Sequence, residues 1–167
     1  CKVGGHAPGG PASLPGNDLT LGSVDDRDRI WVAAEGRGLS MMDSKREGFV
    51  HYRQAERPEI GSDDTFAVAS RNGEVWFGTY GGGLHRLDRD GRITRFVPKP
   101  GDLRSLPAET VLSLAYDGRG DLWVGTFKGL ARWTGSDFER VDVPGEEPAP
   151  WIFSITPVGD QLWVGTK

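Results

Sequence analysis

The chain has 167 residues, of which 37% are hydrophobic and 26% are charged, and this composition is typical of a folded globular protein. Its formal net charge is −4 with both signs interspersed, which argues against a basic stripe for nucleic acid or a polybasic patch for membranes. No apolar run approaches the length of about 18 residues that a membrane-spanning helix needs. We therefore expect no nucleic-acid partner and no membrane insertion by this chain.

The chain opens with a segment rich in turn-forming residues. Glycine and proline are so dense over residues 1–17 that we predict an irregular arm or linker there. Cys1 is the only cysteine, so no disulfide can form within the chain. Two interpretations of Cys1 stay open: it is either the lipid-modified first residue of a mature lipoprotein or an arbitrary boundary of the segment.

A short motif then recurs along the chain. Its third copy reads Leu-Trp-Val-Gly-Thr over residues 122–126, and the successive copies are 45, 47 and 40 residues apart. A period of 40–50 residues is typical of the blades of β-propellers. The tryptophans of the four copies are Trp31, Trp76, Trp123 and Trp163.

Each copy lies in the same order of predicted elements. An alternating strand comes first, then a short polar turn, the tryptophan strand, a Gly-bearing turn, a third strand, a polar turn and a fourth strand. The pair Asn72-Gly73 is the strongest hairpin signal, because both residues tolerate positive φ. Nothing in the sequence indicates a helix. The predicted units are residues 18–53, 63–97 and 109–143, with half a unit at 151–167.

Four-stranded units that repeat at this period predict an all-β fold, a partial β-propeller of about three and a half blades over residues 18–167. The tryptophans and their apolar neighbours are expected to fill the space between blades. Glycines after the tryptophan are expected to let the next blade approach closely. Open blade edges favour pairing with other strands, so we expect either self-association or, preferably, a longer parent protein. The glycines that follow the tryptophan are Gly78, Gly125 and Gly165.

The third copy also identifies a family. Ser105-Leu106-Pro107, then Val111-x-Ser113-Leu114, then Asp117-x-x-Gly120 before the tryptophan motif and Gly129-Leu130-x-Arg132 after it, resemble the two-component regulator propeller repeat. The first copy departs from this pattern at Ala33-Ala34, where the family has Gly-Thr. The resemblance implies a non-enzymatic, extracytoplasmic or periplasmic sensor region of a membrane-anchored bacterial signalling protein. It also implies a histidine kinase or diguanylate cyclase output domain that this chain does not contain.

The candidate binding site lies in the loops between the second and third strands. In a propeller these loops share one face with the connections between blades, around the mouth of the central channel. Because they differ between copies while the frame stays fixed, they are the candidate surface for an unknown small molecule, glycan or protein, and plain loop variability explains the difference equally well. The candidate residues are Glu35, Arg37, Tyr80, Phe127, Lys128 and Trp151.

No catalytic residue, metal site or cofactor is predicted. The histidines His6, His51 and His85 lack metal-ligand spacing, and the segment from Asp25 to Asp28 lacks the Gly and Glu of a calcium loop, which favours a turn. Two other functions stay open. The chain could belong to a propeller enzyme of lyase or glycosidase type that uses Glu35 and Lys128, or it could be a plain protein-interaction scaffold.

Overall fold

The computed structural model describes residue 14 and residues 19–145 and 149–167. The predicted arm, with Cys1 and His6, lies outside the described residues except for Leu14. The boundaries of the predicted arm and blades stay a prediction.

The described residues form fourteen β-strands and no helix. The first sheet contains β1 (Leu19–Val24), β2 (Ile30–Ala34), β3 (Gly38–Met42) and β4 (Phe49–Tyr52). The second contains β5 (Thr65–Arg71), β6 (Glu74–Thr79), β7 (Gly83–Leu87) and β8 (Ile93–Phe96). The third contains β9 (Val111–Tyr116), β10 (Leu122–Thr126), β11 (Gly129–Trp133) and β12 (Phe138–Val141). The fourth contains β13 (Ile152–Val158) and β14 (Gln161–Thr166).

Each sheet is antiparallel, with its strands in sequence order. The first strands of successive sheets, β1, β5, β9 and β13, pack against one another in that order. Such an array of four-stranded sheets joined through their first strands is a propeller in part, with three complete blades and half of a fourth. The predicted fold class is confirmed.

The hairpin turns follow from the residues that form them. Asn72 and Gly73 have φ angles of 52° and 77°, and this double positive φ suits the twist of the strands on either side. In the first sheet Asp28 has a φ of 57° at the turn position that Gly120 occupies in the third sheet. Aspartate tolerates this conformation better than most non-glycine residues.

All three third strands end just before a polar residue, and in β7 and β11 the side chain of that residue starts the next turn. The Asp88 carboxylate accepts hydrogen bonds from the backbone N–H groups of Asp90 and Arg92, at 2.9 Å each. The Thr134 hydroxyl accepts the backbone N–H of Asp137 at 3.2 Å. A polar residue that bonds to the following backbone leaves the ladder and favours a turn.

The core lies between the sheets. Trp31 is fully buried and packs with Val68, Val75 and Phe77 of the second sheet. Trp76 is 1% exposed and packs with Leu114 and other apolar side chains of the third sheet. Trp31 and Trp76 therefore each fill the space between their own sheet and the sheet that follows it in sequence.

The last two tryptophans differ from this expectation. Trp123 is partly buried, and Trp163 is 64% exposed. The reason is geometric, because the sheet that follows Trp123 has two strands instead of four, and no described sheet packs against the face that carries Trp163.

Two of the three motif glycines lie where sheets meet. A Cβ on Gly78 would overlap the side chain of Val111 in the next sheet, and one on Gly125 would overlap Ile152 and the side chain of Ser113. At Gly165 the overlap would involve only the hydroxyl of Ser154, within the same sheet. A missing side chain thus permits the close approach of neighbouring sheets at Gly78 and Gly125.

An aspartate holds the tryptophan ring in the first and third sheets. The Asp25 carboxylate is buried and accepts hydrogen bonds from Trp31 Nε1 (2.8 Å), Arg29 Nε (2.6 Å) and the backbone N–H groups of Arg27 and Arg29. Asp117 accepts from Trp123 Nε1 at 3.0 Å and from the backbone. The segment that starts at Asp25 is therefore a turn, as predicted, and its first carboxylate supports the core.

These contacts also affect ionisation. Burial by itself would raise the pKa of Asp25, but the hydrogen bonds from Trp31, Arg29 and Arg27 outweigh it and lower the pKa. The pKa of Asp117 is lowered chiefly by the Trp123 indole N–H. Both carboxylates are thus stabilised in the charged form.

Candidate functional site

One edge of the array collects the segments that differ most between sheets. The residue after β6, β10 or β14 donates its backbone N–H to the residue just before the first strand of the same sheet, which fixes both segments at this edge. We call this edge the mouth. The three bonds are Tyr80 N to Asp64 O (2.8 Å), Phe127 N to Thr110 O (3.2 Å) and Lys167 N to Trp151 O (3.3 Å).

The first strand of every sheet carries a β-bulge at its mouth end. One extra residue interrupts the pairing at Thr20, Phe66, Leu112 and Phe153. A bulge leaves its extra residue unpaired and changes the direction of the side chain. Phe153 is 47% exposed, and Phe66 and Leu112 are half-buried.

Five aromatic rings form a continuous line along the mouth of the second, third and fourth sheets. We call this line the aromatic row; it consists of Phe66, Tyr80, Phe127, Trp151 and Phe153. Consecutive ring centroids are 6.3, 5.7, 4.2 and 6.1 Å apart. Phe127 and Trp151 come from neighbouring blades and stack almost parallel, at 9°. Separations of this size are those of interacting aromatic pairs.

The row is open to solvent. Tyr80 is 51% exposed and Trp151 is 42% exposed, and neither lies in the clusters that form the core. Contiguous exposed apolar side chains of this size mark interaction surfaces more often than isolated exposed residues do. The mouth therefore offers an exposed aromatic surface made by three successive sheets.

The structure brings part of the predicted site together. Tyr80, Phe127 and Trp151 are members of the row, and Lys128 follows Phe127 in the same turn. Glu35 and Arg37 are exposed in the equivalent turn of the first sheet, and within the described ranges neither has a ring or ion-pair contact with the row. The binding role of all these residues stays a proposal.

Sequence reasoning missed two members of the row, Phe66 and Phe153. Both occupy the bulge position of a first strand, where simple alternation does not tell which way the side chain points. The signal that could have found them is their shared place in the repeat, one residue after the strand begins. Each stands between a β-branched residue and a small residue, in Thr-Phe-Ala and Ile-Phe-Ser.

The two described histidines, His51 and His85, make contacts within the fold. His51 Nδ1 lies 2.9 Å from the hydroxyl of Ser40, which is fully buried and closed to substrate. His85 is fully buried, stacks on Phe77 at 4.6 Å and accepts the N–H of Gly61 at 3.0 Å. Burial lowers the pKa of His85 to about 4, so it is neutral near pH 7.

In the part of the chain that the structure describes, no three His, Cys, Asp or Glu side chains are grouped so as to hold a metal ion. The same residues include no helix with the length and apolar character of a membrane span.

Comparison with protein families identifies one repeat directly. Residues 105–128 match the family model described as Two component regulator propeller. This segment contains the Ser-Leu-Pro and Leu-Trp-Val-Gly-Thr motifs, so the resemblance inferred from the sequence is confirmed there. No curated protein matches the chain.

Solved structures share the fold. One is the extracellular domain of a protein classed as a hybrid two component system, BT3049 from B. thetaiotaomicron, with a TM-score of 0.78 and 28% identity over 99% of this chain. A second is the extracellular domain of BT4673 from the same organism, classed as a one component system, with a TM-score of 0.71 and 18% identity over 96% of this chain. This chain spans only 21% and 23% of their lengths.

Virginiamycin B lyase from Staphylococcus aureus also shares the fold, with a TM-score of 0.68 and 18% identity. The match covers 91% of this chain and 50% of the lyase. At this level of identity the likeness to the lyase and to BT4673 concerns the fold alone.

Proposed function

Because residues 105–128 carry a two component regulator propeller repeat, we propose that this chain is a ligand-binding sensor segment of a membrane-anchored signalling protein. In this proposal it works outside the cytoplasm, in the periplasm, and biases a histidine kinase or diguanylate cyclase output domain. Its likeness to the extracellular domain of BT3049, at 28% identity, supports the sensor role.

The single observation that carries the proposal is the exposed aromatic row. Its rings come from three successive sheets, so a ligand that spans the row contacts several blades at once. A ligand changes the output only if it binds one arrangement of the protein more tightly than another. A site built across blades can bind a ligand differently in two arrangements of the blades, because its rings separate or approach whenever neighbouring blades shift.

The proposed role is binding without chemistry. The row supplies flat apolar faces, a phenol and an indole N–H, which hold a ligand but contribute no carboxylate or imidazole for proton transfer. Lys128 lies next to the row, whereas Glu35 lies on the first sheet, outside it. The enzyme hypothesis needs these two side chains to act together, and no contact in the described structure joins them.

The test uses a neutral ring compound as the probe, N-phenylnaphthylamine, titrated against the purified chain by calorimetry. We expect Phe127→Ala and Trp151→Ala to weaken binding about tenfold each, because stacking on an aromatic side chain contributes on the order of 1 kcal/mol or more. Trp163→Ala is the matched control, since it removes an exposed indole that lies outside the row. Equal binding by the two row variants and the unmodified chain would overturn the row as the sensor site.

A further inference from the structure

We infer that the ligand of the aromatic row is a ring-bearing organic anion, whose negative group lies at the Phe127–Trp151 end. This inference rests on the proposed function, because it takes the row as the binding site and adds the charge of the molecule that binds there. It is carried by the positions of the charged side chains around the row.

The Phe127–Trp151 pair has the shortest ring separation of the row. Its two rings stack at 4.2 Å with 9° between their planes, and each is held from behind by its own sheet through the backbone bonds at the mouth. Trp151 stays 42% exposed despite this stacking. A planar or ring-bearing molecule can therefore bury apolar area here without any rearrangement of the rings.

Two cations flank this end. Lys167 Nζ lies 6.0 Å from the centre of the Trp151 ring, and the backbone N–H of Lys167 donates to Trp151 O. Lys128 is exposed directly after Phe127, and its N–H donates to Thr126 Oγ1 at 3.0 Å, which fixes the turn. One ammonium group therefore lies near the Trp151 ring, and a second exposed lysine directly follows Phe127.

A groove of about 690 Å³ lies along the connection between the second and third sheets, and Phe127 and Lys128 form part of its wall. Its other charged residues are the cations Lys99 and Arg140 and the acids Asp102 and Glu109. Asp102 already accepts the backbone N–H of Arg104. Within residues 19–145 and 149–167, the ion pairs of the structure include none of the three cations of the groove.

The opposite end of the row has acidic neighbours. The carbonyl of Asp64 accepts the N–H of Tyr80, and the Asp64 carboxylate lies close to Gly36, beside Glu35. The exposed cation Arg37 lies in the same turn, so this end carries both signs, whereas Lys128 and Lys167 lie beside the stacked rings at the other end. Two lysines next to stacked rings favour a ligand that places its anionic group beside Lys128 and Lys167.

Two probes with the same rings separate the effect of charge from the effect of stacking. Anilinonaphthalene sulfonate is an anion, and N-phenylnaphthylamine has the same ring system without the sulfonate. We expect the sulfonate to bind the chain about three- to tenfold more tightly at low salt, because each exposed ion pair contributes modestly. The advantage should shrink as salt is raised, since exposed charges are screened, while the Kd of the neutral probe stays constant.

The double variant Lys128→Gln and Lys167→Gln should bring the ratio of the two dissociation constants to about one. Lys45→Gln is the matched control, because Lys45 is an exposed lysine in a turn of the first sheet. A ratio near one in the unmodified chain, or an equal loss in the Lys45 variant, overturns the anion inference and leaves the row intact as a site. If Trp151→Ala and Phe127→Ala change the binding of neither probe, the proposed function itself is overturned.

Discussion

The junction between the second and third sheets and the open face of the fourth sheet carry the same motif in different surroundings. Trp76 is 1% exposed and packs against Phe96 and Trp133, at ring distances of 5.5 and 5.2 Å. Trp163 occupies the same position of the repeat and is 64% exposed. The burial of the repeat tryptophan is therefore a property of the junction and not of the strand that carries it.

The intermediate case shows which part of the neighbour matters. Trp133, which covers Trp76, belongs to the third strand of the following sheet, β11. The sheet that follows Trp123 contains only its first two strands, and Trp123 is only partly buried. The outer strands of each blade thus complete the cover over the tryptophan of the preceding blade.

The largest expected effect is the loss of a covered tryptophan. Trp76→Ala should lower the free energy of unfolding by about 3–5 kcal/mol, because it leaves a cavity between two sheets. Trp163→Ala should change it by less than about 0.5 kcal/mol, as is usual for exposed positions. Urea denaturation of both variants checks the comparison, and similar losses in the two would contradict it.

The motif glycines offer a second test of the same contrast. Gly78→Ala should destabilise the chain by about 1–3 kcal/mol, since the added methyl must displace Val111 in the next sheet. Gly165→Ala is the matched control and should cost less, because only the Ser154 hydroxyl has to rotate. If the thermal midpoints of the two variants fall equally, contact across the junction is not the reason for glycine at this position.

The two aspartates that accept a hydrogen bond from a tryptophan ring should also differ in their contribution to stability. The more buried one, Asp25, should contribute more than Asp117. Asp25→Asn should cost about 1–3 kcal/mol, because one amide oxygen cannot accept the four hydrogen bonds made to a buried carboxylate. Asp117→Asn should cost about 0.5–1 kcal/mol, because the amide keeps the two backbone bonds and loses only the one from Trp123. Unfolding free energies at pH 7 decide the order, and a larger loss at Asp117 would contradict it.

A smaller effect concerns pH. The folded-state pKa of Asp25 is lowered, so its contribution to stability is fully present above the unfolded value of about 3.9 and is lost as pH falls through the folded value. The unfolding free energy should therefore drop below about pH 4, and Asp25→Asn should weaken this dependence. Denaturation midpoints at pH 7, 4 and 3 measure how the stability of the unmodified chain and of the Asp25→Asn variant depends on pH. The same dependence in both would show that other groups are responsible.

Much of the fold was predictable because it depends on local chemistry. Asn72-Gly73 is a hairpin turn whatever surrounds it, and the alternation from Val111 to Tyr116 marks a strand with two faces. The membership of Tyr80, Phe127 and Trp151 in one surface could also be anticipated, because the topology of a propeller places their loops on one face.

What could not be predicted depends on contacts between distant residues. The bulge at Phe66 arises from the register between β5 and β6, and it decides whether the ring points into the sheet packing or toward the mouth. The exposure of Trp163 depends on what lies against its sheet, and its own strand contains no information about that. The charge at one end of the row likewise requires Lys167 to meet Trp151 across the fourth sheet.

The repeated bulge has a consequence for how such a protein can change over evolutionary time. The extra residue of each first strand lies outside the ladder, so a mutation there alters the mouth and leaves the register of the tryptophan strand as it was. The four copies already contain Thr20, Phe66, Leu112 and Phe153 at this position on the same backbone geometry. Single substitutions at this position therefore change the surface of the mouth while the pairing of the strands stays the same.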